Sequence, residues 1–255
     1  MAILADVEQV EALPDRVLGL SLRLRAPAPA MAPGQYVCVG APGDARLPLS
    51  LASDPADFPA LTLHFQPTPG HSDSAYLLDL LERGGPLEVA LPFGDCCFEA
   101  PLAKPLLMLA GGTGITQLRS VLLAQLRLGA AQADAPPLRL YWGAQHAEGL
   151  YLWNELDLLA EAYPRFSWVG CAEQGAEARP RCFAGRVGEA VLNDIGAGKL
   201  VLKDWQVLLG GGPGMVWGTV ETLLPAGLQR RQCAADAFSY APRAVPWPDD
   251  EANNA

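Results

Sequence analysis

The residues of this chain whose types and spacing best suit chemistry are glycines gathered in two short clusters. The first cluster reads GGTGIT at residues 111–116, after the apolar run PLLMLA and before a helical pattern. Glycines at a strand end let the backbone approach a ligand closely, and the N–H groups that begin the next helix favour an anion. The cluster predicts a phosphate-binding turn, with a glycine turn that binds no ligand as the alternative.

The second cluster reads GGGPGMV at residues 210–216 and also lies between an apolar strand pattern and a helical one. Two such turns at the strand ends of one sheet can flank a single crevice. The first cluster matches neither GxGxxG nor GxxxxGK[ST], and it offers no lysine to reach a β- or γ-phosphate. The usual Rossmann fingerprint, the P-loop and an ATPase are therefore disfavoured.

The elements that must position these turns alternate between strand and helix from about residue 104 onward. PLLMLAGG is a continuous apolar run, which is typical of a strand buried on both faces of a parallel sheet. ITQLRSVLLAQLRLG then places Leu118, Val121, Leu122 and Leu126 on one helical face. The alternation predicts a doubly wound parallel sheet over residues 103–241.

The first hundred residues have a different pattern, with short strands between turn signals. RVLGLSLRLR alternates strictly, and SDSAYLLDLLERGG is one helix with Ser and Asp as cap candidates and glycine at its end. We predict a β-barrel or sandwich over residues 1–102 and an acidic, Pro-rich, loosely ordered tail over 242–255. The fold class is thus β plus α/β, in two domains.

The composition excludes several classes of protein. A formal charge of -10 argues against nucleic acid as a partner. The chain shows neither a secretory signal pattern nor an apolar run long enough for a membrane span, so we expect a cytoplasmic protein without a membrane partner. Its six cysteines form no CxxC pair and its three histidines have no ligand spacing, so we expect no metal. No GxSxG elbow indicates a hydrolase.

An ordered set of motifs carries a resemblance to a known family. In chain order these are GQY (34–36), LPLSLAS (47–53), GGTGITQLRSVL (111–122), YWGAQ (141–145), GGGPGMV (210–216) and DAFSY (236–240). With these motifs the chain resembles the ferredoxin-NADP reductase superfamily, and most of all its stand-alone bacterial NAD(P)H:flavin reductases. The resemblance covers residues 1–241 and implies an antiparallel flavin-binding β-barrel followed by a nicotinamide-nucleotide domain. It also implies hydride transfer from the nicotinamide to a flavin in the cleft between them.

On the flavin side, the family's strand reads Arg, any residue, Tyr or Phe, then Ser or Thr. Ser50 matches the last position and becomes the candidate catalytic residue, because in the family this hydroxyl approaches the reactive N5 edge of the flavin. Leu47 and Leu49 replace the arginine and the aromatic, and Arg46 would point to the opposite strand face. This loss should weaken FAD retention, so we expect FAD or FMN as a dissociable substrate.

The candidate flavin-binding residues are Pro48, Leu49, Ser50, Leu51, His64, Ser72 and Ser74. The two serines at the helix start resemble the family's second phosphate contact, and plain N-capping is the alternative.

On the nicotinamide side, the resemblance implies that the first glycine cluster holds the pyrophosphate through Gly111, Gly112, Thr113, Gly114 and Thr116. The candidates near the nicotinamide are Gly211, Pro213, Gly214 and Met215, and Gly210 stands where the family has cysteine. Phe238 and Tyr240 are candidates to cover the ring, with ordinary apolar packing as the alternative.

The stretch that would meet the adenosine ribose reads GAQHAEGLY and contains no arginine. A 2′-phosphate needs positive charge, so we favour NADH over NADPH, unless Arg179 and Arg181 fold back into reach.

Three hypotheses remain open. The first is a flavin reductase. The second is a reductase subunit that holds FAD and feeds electrons to an oxygenase or to a ferric or iron–sulfur partner. The third is a degenerate, non-catalytic binding module, which Leu47, Leu49 and Gly210 motivate.

Overall fold

The structure is a computed structural model that describes residues 1–98, 102–130, 132, 134–245 and 247–249. Backbone contacts divide the chain into two compact units. The barrel unit is Met1–Ala100 with Thr116–Leu128, and the parallel-sheet unit is Pro101–Ile115 with Gly129–Ala255.

The barrel unit contains an antiparallel sheet of six strands in the order β4-β3-β6-β1-β2-β5. The strand bounds are Ala2–Leu13 (β1), Val17–Leu24 (β2), Tyr36–Ala41 (β3), Asp44–Ser50 (β4), Ala60–Phe65 (β5) and Leu87–Phe93 (β6). Leu51, which directly follows β4, forms an antiparallel bridge to Leu63 of β5, so the two ends of this strand order come together. The predicted antiparallel barrel is therefore confirmed.

Alternating side chains build the core of this barrel. In β2, Leu20, Leu22 and Leu24 are buried, whereas Arg23 is exposed and pairs with Glu8 of the neighbouring β1. Helix α1 (Ser72–Arg83) packs Leu77 on the same core and ends at Gly84, whose φ of 70° suits glycine. The period-two pattern thus separates an apolar interior from a charged exterior.

The parallel-sheet unit is built on six strands in the order β10-β9-β8-β7-β11-β12. The strand bounds are Leu106–Gly111 (β7), Leu138–His146 (β8), Phe166–Gln174 (β9), Phe183–Ala184 (β10), Gln206–Gly210 (β11) and Cys233–Ala234 (β12). The helix bounds that follow α1 are Ile115–Gly129 (α2), Trp153–Ala162 (α3), Val187–Gly196 (α4), Pro213–Leu223 (α5) and Ala237–Tyr240 (α6). Every strand pair in this sheet is parallel, which confirms the predicted α/β half.

Helix α2 makes polar contacts within the barrel unit. The Gln117 amide donates to the carbonyl oxygen of Gly34 at 2.9 Å, and Arg119 donates to that of Ala52 at 2.7 Å. Nε of Arg127 lies 2.6 Å from the carboxylate of Asp54, which is buried. Sequence reasoning assigned this helix by its apolar face and missed these contacts, because hydrogen bonds to a distant backbone leave no periodic signal.

The prediction of a loosely ordered tail is wrong for the described part of residues 242–255. Trp247 is only 5% exposed and packs in the apolar cluster beside α5. The Asp249 carboxylate accepts hydrogen bonds from the backbone N–H groups of Arg230 and Arg231, at 2.9 and 3.1 Å. Residues 246 and 250–255 lie outside the described residues.

None of the helices within the described ranges combines the length and the apolarity that crossing a bilayer requires.

Candidate functional site

The two glycine clusters follow neighbouring strands of the parallel sheet. β7 and β11 pair in parallel, and Ala110 lies opposite Gly210. Because parallel strands end at the same sheet edge, the turns at residues 111–116 and 210–216 begin side by side. The predicted shared location of the two clusters is what the structure shows.

These two turns contact each other through their glycines. A Cβ atom on Gly114 would overlap the carbonyl group of Gly210, and one on Gly111 would lie 2.6 Å from Cγ of Met215. Gly211 adopts a φ of 144°, with its Cβ position 3.2 Å from the carbonyl oxygen of Gly111. Gly111, Gly114 and Gly211 are therefore required for close packing of one turn on the other.

Other glycines of the clusters face open space. A Cβ atom on Gly112, Gly212 or Gly214 would meet no atom within 4 Å. Gly112 also has a φ of 52°, a conformation that glycine adopts without strain. These glycines, not the packed ones, leave room for a ligand beside the backbone.

Two helices begin at these turns, and neither start is capped by a side chain. α2 follows Gly114 and α5 follows Gly212, with Pro213 in the first helical turn of α5. Backbone N–H groups at uncapped helix starts are suited to an anion. This edge therefore offers backbone N–H groups to a phosphate. Residues 111–116 and 210–216 contain no lysine or arginine.

Trp142 holds the first turn in place and was missed by the sequence reasoning. Its buried indole N–H donates to the carbonyl oxygen of Gly112 at 2.9 Å, and its ring meets that of Tyr151 edge-on at 5.2 Å. The available signal was its position as the last residue of the apolar run in β8, the strand that pairs with β7.

The carboxyl end of β8 lacks positive charge. It leads from Gly143 to the exposed residues Gln145 and His146. The guanidinium of Arg179 lies 5.4 Å from the centre of the Trp153 ring, and Nη2 of Arg181 lies 3.0 Å from the Asp157 carboxylate. Arg179 thus contacts an aromatic ring and Arg181 pairs with a carboxylate.

In the barrel unit, Ser50 lies in a row with two aromatic side chains. Tyr36 is the register partner of Ser50 on one side and of Phe93 on the other. The Tyr36 and Phe93 rings stack with their centres 5.6 Å apart, and Phe93 is 39% exposed. A partly exposed hydroxyl beside a partly exposed pair of stacked rings suits a flat aromatic ligand with polar ring atoms.

The strand before Ser50 alternates between the core and the outer face. Leu47 is only 9% exposed within the barrel core, and Leu49 packs partly against it. Arg46 is exposed, and its guanidinium lies 4.1 Å from the centre of the Tyr76 ring. Arg46 and Leu47 therefore lie on opposite faces of β4, as predicted. Arg46 is on the outer face and Leu47 is on the core face.

The other flavin-side candidates have different surroundings. Pro48 is exposed, Leu51 is completely buried in the core, and His64 is 8% exposed. Burial, together with the charge of Arg119, lowers the pKa of His64 to about 4. His64 is thus a neutral interior residue of the barrel, unlike the partly exposed Ser50 and the exposed Phe93.

The two serine candidates on α1 are separated by their exposure. Ser72 is exposed, whereas Ser74 is buried and its hydroxyl accepts from the backbone N–H of Thr68 at 2.9 Å. The N-cap of the helix is His71, which forms no side-chain cap hydrogen bond. Neither serine therefore acts as the predicted cap, and Ser74 closes the preceding loop.

Phe238 lies in an aromatic cluster of the parallel-sheet unit. Its ring centre is 4.8 Å from that of Trp217 and 6.3 Å from that of Trp247, and the guanidinium of Arg230 lies 4.5 Å from it. Tyr240, in contrast, is exposed. Phe238 thus takes part in aromatic packing, which was the alternative to covering the ring. Tyr240 is the aromatic residue on the surface.

Comparison with known proteins identifies the fold. Residues 108–221 match the family model of the oxidoreductase NAD-binding domain. The chain is 20% identical to a ferredoxin NADP+ reductase from Neisseria gonorrhoeae with bound FAD and NADP, at a TM-score of 0.76, over 92% of this chain and 98% of that one. The chain therefore has the two-domain ferredoxin reductase-like fold with an oxidoreductase NAD-binding domain, and the resemblance carried by the ordered motifs is confirmed.

Two curated relatives are similar in sequence. The chain is 31% identical to reductase component 2 of a terephthalate 1,2-dioxygenase from Comamonas sp., over 87% of this chain and 64% of that protein. It is 29% identical to an NAD(P)H-flavin reductase from Vibrio harveyi, over 83% of this chain and 87% of that protein. The chain thus spans less than two thirds of the length of the dioxygenase component.

Proposed function

We propose that this protein is an NAD(P)H:flavin oxidoreductase, with a flavin-binding domain at residues 1–102 and an NAD(P)-binding domain at 103–241. The observation that carries the proposal is the pair of contacting glycine turns at one edge of the parallel sheet, within a matched NAD-binding domain. The similarity to a flavin reductase supports flavin as the second ligand.

The nicotinamide nucleotide fits the open part of this edge. Gly112, Gly212 and Gly214 leave space beside backbone N–H groups at two helix starts, and a pyrophosphate is an anion of the kind such groups bind. Trp142 keeps the carbonyl of Gly112 turned toward its indole, so that this acceptor does not face the phosphates. Thr113, Thr116, Pro213 and Met215 complete the two turns.

The flavin fits the outer face of the barrel at Ser50, Tyr36 and Phe93. A bound flavin supplies a ring that accepts a hydride from reduced nicotinamide. The Ser50 hydroxyl can hydrogen-bond a ring nitrogen in either protonation state because it both donates and accepts. Ser50 thereby orients the ring, and catalysis by this chain is mainly positioning of two cofactors.

We infer NADH as the preferred donor and a flavin that dissociates. The β8 end carries no lysine or arginine that could pair with a 2′-phosphate. Leu47, in the barrel core, offers no charge to flavin phosphates, which favours exchange of FAD or FMN over tight retention.

A second candidate is a reductase component that holds FAD and passes electrons to a protein partner. The 31% identity to the terephthalate 1,2-dioxygenase reductase component favours this alternative. An absorbance spectrum after desalting distinguishes the two, because a reductase component keeps its yellow flavin and a flavin reductase is colourless.

Oxidation of NADH and NADPH with riboflavin, FMN and FAD tests the proposal. We expect flavin-dependent oxidation that is faster with NADH. Absence of oxidation with all three flavins and both nucleotides, in protein that is folded and colourless, would leave the non-catalytic binding module as the correct reading.

A further inference from the structure

A cavity of about 310 Å³ opens in the parallel-sheet unit beside helix α4, away from the glycine turns. Its walls come from Arg139 near the start of β8, Val169 in β9, the residues 181–183, and the last turns of α4 with Lys199. Arg139 is the second residue of β8, whereas the glycine turns follow the strand ends. None of its walls belongs to residues 111–116 or 210–216, so this α4 cavity is a separate feature.

The floor of the α4 cavity is a buried carboxylate with three donors. Asp194 is 8% exposed and accepts from a terminal nitrogen of Arg139, from the Tyr141 hydroxyl at 2.7 Å and from Nζ of Lys199 at 3.3 Å. Burial alone would raise the pKa of Asp194, but the hydrogen bond from Tyr141 and the charges of Arg139 and Lys199 lower it overall. An ionised Asp194 therefore fixes the position of Arg139 before any ligand arrives.

Positive charge exceeds negative charge at this cavity. Arg139, Arg181 and Lys199 are three cations, and the carboxylates bonded to them are Asp194 and Asp157, which leaves one net positive charge. The chain as a whole has a charge of -10, so this local excess runs against its background. A recess with an excess of positive charge concentrates anions.

The uncharged part of the lining is mostly apolar. Val169, Phe183 and Ala190 line the cavity beside Cys182 and the polar Asn193, and both Val169 and Phe183 pack on the buried cluster of this unit. Apolar walls favour the body of an organic molecule, whereas a phosphate dianion would need more donors and more charge than this lining offers. A single net positive charge matches a carboxylate monoanion, which guanidinium groups bind in a forked geometry.

We propose that the α4 cavity is a binding site for a small organic carboxylate with an apolar body. The carboxylate binds Arg181 and Lys199 at the rim, above the Arg139–Asp194 pair, and its apolar body lies against Phe183 and Val169. The site stands independently of flavin reduction, because none of its residues takes part in the proposed chemistry.

Calorimetric titration of the full-length protein with sodium benzoate tests this proposal. We expect a dissociation constant of about 1 mM or tighter, and no binding of the neutral isostere benzamide or of inorganic phosphate in the same range. Arg181→Gln and Lys199→Gln should each weaken benzoate binding about fivefold, because each removes a charge-assisted contact. Both side chains are mostly exposed, so these variants should fold.

Arg186→Gln is the matched control, because Arg186 is an exposed arginine paired with Glu173 and does not line the cavity. It should bind benzoate as the wild type does. Absence of benzoate binding, equal binding of benzamide or phosphate, or equal weakening by Arg186→Gln would each overturn the proposal.

Discussion

The two units present their candidate ligand groups in different ways. The parallel-sheet unit offers backbone, since its turns consist of glycines whose packing on each other leaves open space at Gly112, Gly212 and Gly214. The barrel unit offers side chains, since Ser50, Tyr36 and Phe93 form a row across three strands. In the backbone site, an added side-chain atom would disrupt the contact between the turns. In the side-chain site, a substitution removes one functional group and leaves the backbone in place.

The strongest test of the backbone site is Gly114→Ala. The added Cβ would overlap the Gly210 carbonyl, so we expect a loss of roughly 3 kcal/mol in the free energy of unfolding. NADH binding should be lost together with it. Urea unfolding and NADH titration measure both effects.

Gly212→Ala is the control for that variant. Gly212 has a φ of -63° and open space around its Cβ position, so the free energy of unfolding should change by less than about 0.5 kcal/mol. Equal stability of Gly114→Ala and Gly212→Ala would contradict the conclusion that Gly114 is closely packed and Gly212 faces open space.

The next largest effect concerns the interior of the barrel. The pKa of His64 is about 4 in the folded protein and about 6.5 when unfolded, so the unfolded state binds the proton more tightly. The contribution of neutral His64 to the free energy of unfolding is fully present above a pH of about 6.5. It falls by roughly 3 kcal/mol as the pH drops to about 4.

Urea unfolding between neutral and acid pH, compared in the wild type and His64→Leu, measures this dependence. The variant should lose less stability on acidification, and His71→Gln, at an exposed position, serves as the control. An unchanged acid dependence in His64→Leu would place the responsible group elsewhere.

A smaller effect is expected from the side-chain site. Ser50→Ala removes the hydroxyl that orients the flavin ring, so kcat/KM for flavin should fall about tenfold, or about 1.4 kcal/mol in the barrier. The free energy of unfolding should be nearly unchanged, because Ser50 is partly exposed. Ser21→Ala, a hydroxyl on β2, should keep the wild-type rate. Equal rates for both variants would remove Ser50 from the site.

The smallest effect concerns the support of the first turn. Trp142→Phe removes the indole N–H that donates to the Gly112 carbonyl, so NADH binding should weaken and stability should fall by about 1 kcal/mol. Thermal unfolding with and without NADH measures both. Loss of stability without any change in NADH affinity would show that Trp142 only packs.

Much of the architecture follows from local pattern. The alternation in RVLGLSLRLR and the apolar run PLLMLA each match the strands that the structure shows, β2 and β7. The two glycine clusters were found because their position between strand and helix patterns is visible in the sequence. Their position at one edge was expected because parallel strands end together, whereas their contact was not predicted.

Other features depended on groups far apart in the chain. Ser74 was a cap candidate, but its hydroxyl accepts from Thr68 instead. The tail was expected to be loosely ordered, but Trp247 finds an apolar cluster that a local reading of a Pro-rich, acidic segment does not reveal. Ser50 was assigned without its aromatic neighbours, because Phe93 meets Tyr36 only through strand register.

The amino-acid sequence by itself determined the two kinds of sheet, the order of their elements and the two glycine turns, because periodicity and backbone freedom are local properties. Only the tertiary structure decided which glycines pack and which leave space, that Leu47 lies inside the barrel, and that Arg139 and Asp194 meet beside α4. These outcomes depend on register and on burial between segments far apart in the chain, and both arise only when the sheets have assembled.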